Sequence, residues 1–358
     1  MAAKLPTEKD FRDSQLNLFQ QFLCNSPGER EKLSNSIELW DAVPRYSISR
    51  QAMSKMRDEH GNLPILKLGF EYRGTKFSVS IQATQIEEND AAGNTKLNKG
   101  GKPISIAYYP SANEELVEEV LRKLAVDQDS GFYANEKPSA RSGVVFSLYQ
   151  LSEELKKRGH TRSYNEIKLS LDILSGSNIN IIANSPTSVN MPFGKSNYFA
   201  AMTGVTRKDM QTDPDKKWMV QFHPFVTASI DKLSYRQFNY HQLMSHTTQL
   251  ARWLHKQLIL KYTFASRFKP FEIRYSTIKR DSAMLDSYAR ARNAHMACDL
   301  SVNELKEHGV LIELNRRVEA DARGKILDVV YTLTPSSEFV AEVKAANKRQ
   351  ENLSTIAK

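Results

Sequence analysis

Cysteine is nearly missing from this chain of 358 residues: Cys24 and Cys298 are the only two, they lie far apart, and neither sits in a CxxC or His-rich spacing. A disulfide framework and an ordinary structural zinc site are thereby excluded. Long hydrophobic runs are missing too. Leu258 to Leu260 is cut short by Lys261, and nothing approaches the roughly 18 apolar residues that a membrane span requires. The N-terminus, Met1-Ala2-Ala3-Lys4-Leu5-Pro6, leads into a charged segment instead of an apolar signal core, so a soluble, cytoplasmic protein without a membrane partner is expected.

Catalytic signatures are the next absence. Gly194-Lys195-Ser196 resembles the end of a phosphate-binding loop, but Val189 stands where GxxxxGK[ST] needs its first glycine. No H-x-H pair occurs. His241, His246 and His255 are spaced at five and nine residues, read as surface or core residues along one helix. GxSxG, HExxH and kinase motifs are absent as well, so the expectation is a protein that is not an enzyme and uses no cofactor and no metal.

What is present is an ordinary globular balance, 40% hydrophobic and 25% charged, which excludes a disordered chain and is enough for two or three domains. The net charge of +9 is uneven: residues 236–358 carry +7 of it. A surplus gathered in one region points to a polyanionic partner, although on charge alone it fits plain solubility as well.

The hydrophobic pattern divides the chain. Phe11, Leu16, Phe19 and Phe22 predict a helical arm over Glu8 to Leu23, ended by Pro27-Gly28. Alternation from Ile65 to Ile86 about the turn Arg73-Gly74-Thr75 predicts a hairpin. The polar stretch Asn89 to Lys102 reads as a mobile loop, Ile104 to Tyr109 as a strand, and Glu114 to Ala125 as a helix capped by Ser111. Phe70, Tyr72 and Trp253 read as core.

From Gly143 onward a strand, a helix over Ser147 to Lys157, a turn at Gly159-His160-Thr161-Arg162, a second helix over Ser163 to Leu174 and a strand at Ile179 to Ile182 spell a winged helix-turn-helix. Residues 184–217 form its long wing. The order recurs: a long helix over Leu243 to Tyr262, a strand over Phe271 to Tyr275, a short helix over Ser276 to Leu285, a longer one over Ser287 to His308, and a ribbon of Val310 to Val318 with Ile326 to Leu333. Ala291, Ala294, Cys298, Val302 and Leu305 share the apolar face of the longer helix. The fold class expected is α+β: two winged-helix domains in tandem with an N-terminal helical and β-hairpin extension. The boundaries are 1–45 for the arm, 46–235 for the first domain, 236–340 for the second and 341–358 for a basic tail.

This order, with Ser142 to Ile182, Phe222-His223-Pro224-Phe225 through Tyr235-Arg236-Gln237-Phe238-Asn239-Tyr240, Gln249-Leu250-Ala251-Arg252-Trp253-Leu254-His255 and Val302 to Leu311, resembles the plasmid replication initiator (Rep) family over about 200 residues. The resemblance implies an initiator that binds origin direct repeats, the iterons, as double-stranded DNA. It implies a homodimer in equilibrium with a monomer, in which the dimer represses copy number, and contacts with the host replicative helicase and a DnaA-type initiator. A transcriptional regulator of the same fold is the alternative, and a metal-dependent nuclease or primase a remoter one.

Chemistry names the residues. Arg can grip guanine and Asn adenine in bidentate fashion, so Arg292 and Asn293 are the expected base readers at the start of the longer helix, with Met296 on the same DNA-binding face. Arg290, Arg274, Lys279, Arg280, Arg316, Arg317, Arg323 and Lys325 are expected phosphate contacts. Arg162, Ser163, Tyr164, Asn165 and Lys168 are the corresponding set in the first domain. Each has a plainer reading as solvated surface. His295 reads as a packing residue, and Asp299 and Glu304 as charges that would repel phosphate and confine DNA to the first half of the helix.

Overall fold

The computed structural model describes residues 32–88, 94–126, 131–134, 141–184, 195–205, 217–231 and 235–356. The expected arm over Glu8 to Leu23 lies outside the described residues. Strand β1 (Leu33–Ile37) runs into helix α1 (Glu38–Ala42), followed by α2 (Arg50–Met56), the hairpin β2 (Leu66–Tyr72) and β3 (Thr75–Gln82), and the pair β4 (Thr84–Glu87) and β5 (Ser105–Tyr108). Helix α3 (Ala112–Val126), β6 (Gly131–Ala134), β7 (Arg141–Phe146), α4 (Leu148–Lys157), α5 (Tyr164–Gly176) and β8 (Asn178–Ala183) come next. After them lie β9 (Ser196–Asn197), β10 (Phe199–Thr203), β11 (Trp218–Phe222), α6 (Pro224–Asp231) and β12 (Tyr235–Asn239). The last third holds α7 (Tyr240–Ser245), α8 (Gln249–Lys261), β13 (Phe271–Arg274), α9 (Tyr275–Ser282), α10 (Ala291–Glu307), β14 (Leu311–Ala320), β15 (Ile326–Pro335) and α11 (Ser337–Ile356). Helices and small antiparallel sheets alternate irregularly, which makes the fold α+β.

The C-terminal third is a winged helix. Its sheet has the order β13-β15-β14, with α8, α9 and α10 packed against it through Ile273, Ile278, Cys298, Val302 and Leu305. Gly309, at φ +74°, lets the chain leave α10 and enter the ribbon. The predicted single helix from Leu243 to Tyr262 is instead two, α7 and α8. The break falls at His246-Thr247-Thr248, where the Thr248 hydroxyl accepts from Ala251 N (3.2 Å) and caps α8.

The first helix-turn-helix forms as predicted, with reciprocal capping boxes at Ser147 with Gln150 and at Ser163 with Glu166. Its ribbon differs from the expectation. β8 pairs with β3 of the early hairpin over six residue pairs, Phe77–Ala183 to Gln82–Asn178, and with the two-residue β9 on its other side. The chain then bends at buried Tyr198, whose hydroxyl donates to Arg45 O (2.9 Å), and crosses into the other sheet, β10-β11-β7-β6. Of the expected wing 184–217, residues 185–194 and 206–216 lie outside the described residues. The expected loop after Asn89 is paired backbone where described: Lys96 N donates to Glu88 O and Ile104 N to Lys96 O.

Two features bind the thirds together. β1 pairs antiparallel with β12, Leu33 opposite Asn239. α3 is buried on all sides, its charged residues included. Around it, Asp41 accepts from Arg45 (2.9 Å), Arg122 (2.8 Å) and Lys256 (3.2 Å), Glu118 from Trp40 (2.8 Å) and Arg45 (2.6 Å), and Glu115 from Arg252 (3.0 Å). Burial pushes the Glu118 carboxyl up, but Arg45 and Arg122 outweigh it and hold it at about 2. Arg252 and Lys256 thus neutralise buried acids of the first half, so part of the C-terminal positive surplus is consumed inside the protein. The expected basic tail is helical from Ser337: α11 packs Phe339 and Val343 into the core and lies along β12, with Arg236 donating to Gln350 (3.0 Å) and Asn239 to Glu342 (2.8 Å).

Candidate nucleic-acid interface

Helix α10 begins without a side-chain cap. Arg290 holds the cap position, the first turn carries no acidic residue, and so the leading N–H groups of a 17-residue helix are left for solvent or an anion. Ala294, Cys298, Val302 and Leu305 form its buried face as predicted, while Ala291, predicted to join them, is exposed because it lies in the unburied first turn. Burial raises the Cys298 thiol to about 12, so it stays protonated packing. His295 is half-buried, its ring 3.9 Å from that of Tyr275, consistent with a packing role.

The outer face of α10 is the adjacent pair Arg292 and Asn293 followed at steps of three or four residues by Met296, Leu300 and Asn303, all exposed. Leu300, 63% exposed, and Asn303 extend the predicted reading face by two turns and were not predicted. The signal available for them was that same spacing continued past Met296. Asp299 and Glu304 do not face outward as expected. Asp299 accepts from Arg316 (2.9 Å) and from the Tyr331 hydroxyl (2.5 Å). Glu304 is buried and accepts from the Thr247 (2.8 Å) and Thr248 (2.6 Å) hydroxyls. Neither presents a free charge to an approaching phosphate.

The basic residues separate by what they already hold. Arg274 bonds Glu319 (2.6 Å), Arg317 bonds Glu319 (3.1 Å), Arg316 bonds Asp299 (2.9 Å) and Lys279 bonds Asp286 (3.5 Å). The pairs with Glu319 and Asp286 are solvent-exposed and worth about 0–1 kcal/mol, cheaply exchanged for a phosphate, whereas Arg316 is the residue that neutralises Asp299. Arg280 is committed elsewhere, to Glu71 of β2 (3.0 Å) and Asp281 (2.7 Å), tying the early hairpin to α9. Arg290, Arg292, Arg323 and Lys325 are exposed and make no side-chain ion pair among the described residues. The last two stand at the wing tip. Asp321 Oδ1 accepts from Arg323 N and Lys325 N (both 2.9 Å), and Gly324 at φ +77° closes the turn.

In the first unit, Tyr164, Asn165 and Lys168 are exposed on α5. Ser163 is the cap itself, its hydroxyl 2.8 Å from a Glu166 carboxylate oxygen, and Arg162 donates to Asn113 (2.9 Å). These two are occupied by folding. The structure also gathers residues that sequence spacing kept apart: His246, Glu304 and His308 converge where the α7–α8 break meets the end of α10. Sequence spacing reads His246 as a surface or core residue beside His241 and His255; it is buried against His255, while Glu304 and His308 are brought to it by the tertiary fold.

The sequence matches no protein-family model and no curated protein. Among solved structures, the chain is similar to a selenomethionine derivative of domains 2 and 3 of RctB, with TM-score 0.47 and 12% identity, over 87% of this chain and 98% of that one. A second structure of RctB domains 2–3 matches at TM-score 0.41 and 12% identity, over 80% and 97%. The Pi initiator protein in complex with iteron DNA matches at 0.40 and 13%, over 63% and 91%. Among the described residues no helix is long and apolar enough to cross a membrane.

Proposed function

We propose that this protein is a sequence-specific double-stranded DNA-binding protein of the replication-initiator kind, acting by binding and deformation and not by hydrolysis. The observation that carries the reading is the α10 face: Arg292, Asn293 and Met296, unpaired and exposed, beside an uncapped helix N-terminus and a wing tip bearing Arg323 and Lys325. An uncapped N-terminus with a free Arg–Asn pair suits the major groove, where those side chains match guanine and adenine edges, and the wing cations suit flanking phosphates. The initiator role, as opposed to DNA binding alone, rests on the resemblance of the tandem motifs to Rep proteins. From the same resemblance come direct repeats as the target, a dimer–monomer equilibrium, and the helicase and DnaA-type partners. Opening of the origin would follow from bending an adjacent AT-rich element, whose pyrimidine–purine steps deform readily.

The test is binding to a duplex carrying direct repeats from the protein's own replicon, against scrambled competitor and across a salt series, since phosphate neutralisation alone makes affinity fall with salt for any sequence. The expected outcome is a preference of about a thousandfold or more for the repeats, in steps matching repeat number. Equal affinity for both duplexes overturns base reading by Arg292 and Asn293.

A further inference from the structure

His246, Glu304 and His308 each offer one ligand atom, and the three atoms lie within 4.8 Å of one another. His246 ends α7 and is fully buried; Glu304 and His308 stand one turn apart at the end of α10, on one face by their i, i+4 spacing. Two of the three groups, His246 and Glu304, are held in place by their neighbours. His246 Nε2 lies 3.1 Å from His255 Nδ1, whereas His246 Nδ1 is buried with no hydrogen-bond partner among the described residues. Either nitrogen of the histidine pair can carry the shared proton; the tautomer with the proton on His246 Nε2 is the one that leaves Nδ1 a lone pair for a ligand. The Glu304 carboxylate is aligned by the hydroxyls and backbone N–H groups of Thr247 and Thr248. The His308 ring meets that of His246 edge-on, with centroids 5.1 Å apart, and is only half-buried.

A buried imidazole oriented by a second imidazole, and a carboxylate oriented by hydroxyls, is how metal ligands are held by their outer neighbours. Two imidazole nitrogens and one carboxylate suit a divalent ion of the zinc class and not magnesium, which favours oxygen. We propose that His246 Nδ1, Glu304 and His308 form a binding site for one such ion, with water completing the tetrahedron on the open His308 side. Tetrahedral ligands at about 2.1 Å from zinc stand about 3.4 Å apart, so the three groups need draw together by no more than about 1.4 Å on binding, a movement that half-buried His308 at a helix end can supply. Arg252, whose charge acts on His246, is held by its bonds to Glu115 (3.0 Å) and to the carbonyl of His246 (3.0 Å). The ion would pin the end of α10 to the α7–α8 junction, whatever the outer face of α10 contacts. The site therefore stands or falls separately from the DNA-binding reading.

The test uses the full chain without a histidine tag, stripped by chelator and titrated with cobalt(II) and then zinc. The expected result is one ion per chain, with the visible d–d absorption of four-coordinate cobalt, lost on zinc addition. His308→Ala is expected to weaken uptake about tenfold or more, and Thr248→Val, which removes a hydroxyl that orients Glu304, by about tenfold. Far-UV circular dichroism of both variants checks that they fold, and His308→Gln replaces His308→Ala if the latter does not. Absence of stoichiometric uptake by the wild-type chain overturns the site, and so does a folded His308 variant that binds as tightly as wild type.

Discussion

Helices α5 and α10 occupy the same place in their respective helix-turn-helix units, yet their N-termini are opposites. In α5 the Ser163 hydroxyl and N–H bind the Glu166 carboxylate, and these bonds pull the Glu166 carboxyl below its ordinary range. In α10 the cap position is Arg290, without a carboxylate or a capping side chain. A helix N-terminus carries about half a positive charge. α5 answers that charge from within its own sequence, which secures the fold; α10 leaves it unanswered beside two free arginines. A capping box is therefore informative in both directions, because its presence marks an end committed to folding and its absence from a long, well-packed helix marks an end available to an external anion.

The comparison depends on the two units being held together, and the strongest intervention is to release them. Asp41 bonds Arg122 of α3 and Lys256 of α8 in a fully buried cluster, so Asp41→Asn should cost about 3–5 kcal/mol in urea unfolding, leaving buried cations uncompensated. The same cluster sets the acid limit. The Glu118 carboxyl lies at about 2 in the folded chain against an ordinary 4.5, so its contribution is complete above pH 4.5 and is lost as pH falls from there towards 2; a Tm series across that window should slope downward on the acid side. Next in size, Arg292→Ala should cost about 1–3 kcal/mol of discrimination between cognate and scrambled duplex, while Lys168→Ala on α5 leaves discrimination unchanged. A loss of discrimination at Lys168 equal to that at Arg292 would erase the distinction between the helices. Ser163→Ala should lower thermal stability by about 1 kcal/mol without altering DNA preference. Smallest, Arg323→Ala should weaken all duplexes alike and reduce the slope of log affinity against log salt by about 1.

Local physics was legible in the residues. The helices over Ser147 to Lys157 and Ser163 to Leu174, the turn at Arg73-Gly74 and the β14–β15 ribbon follow from short-range rules, and so does the outer face led by Arg292; the capping boxes at Ser147 and Ser163 are equally local, yet Ser163 reads in the sequence as a DNA contact. What escaped was set at long range. The pairing of β8 with β3 joins segments about 100 residues apart, and no periodicity announces it. The acidic residues of α3 are buried because Arg45, Arg252 and Lys256, distant in sequence, arrive to neutralise the cluster. The break at Thr247-Thr248 was hidden because Leu243 to Tyr262 keeps its apolar spacing across it, although a Thr-Thr pair ahead of Gln249 is itself a capping signal. Glu304, read as a surface charge, is buried for the same tertiary reason, as the acceptor for that break.

The linker strand β12 is paired along one edge by β1 and gripped by α11 through Arg236, Asn239, Gln350 and Glu342. A connection splinted in this way stores an angle as well as a length. On the proposed reading, DNA bound by both units is measured for rotational phase: duplex contacts separated by a whole helical turn, about 10.5 base pairs, are reached together, and those half a turn out of step are not. Five base pairs inserted between the two contact zones should therefore harm binding more than ten.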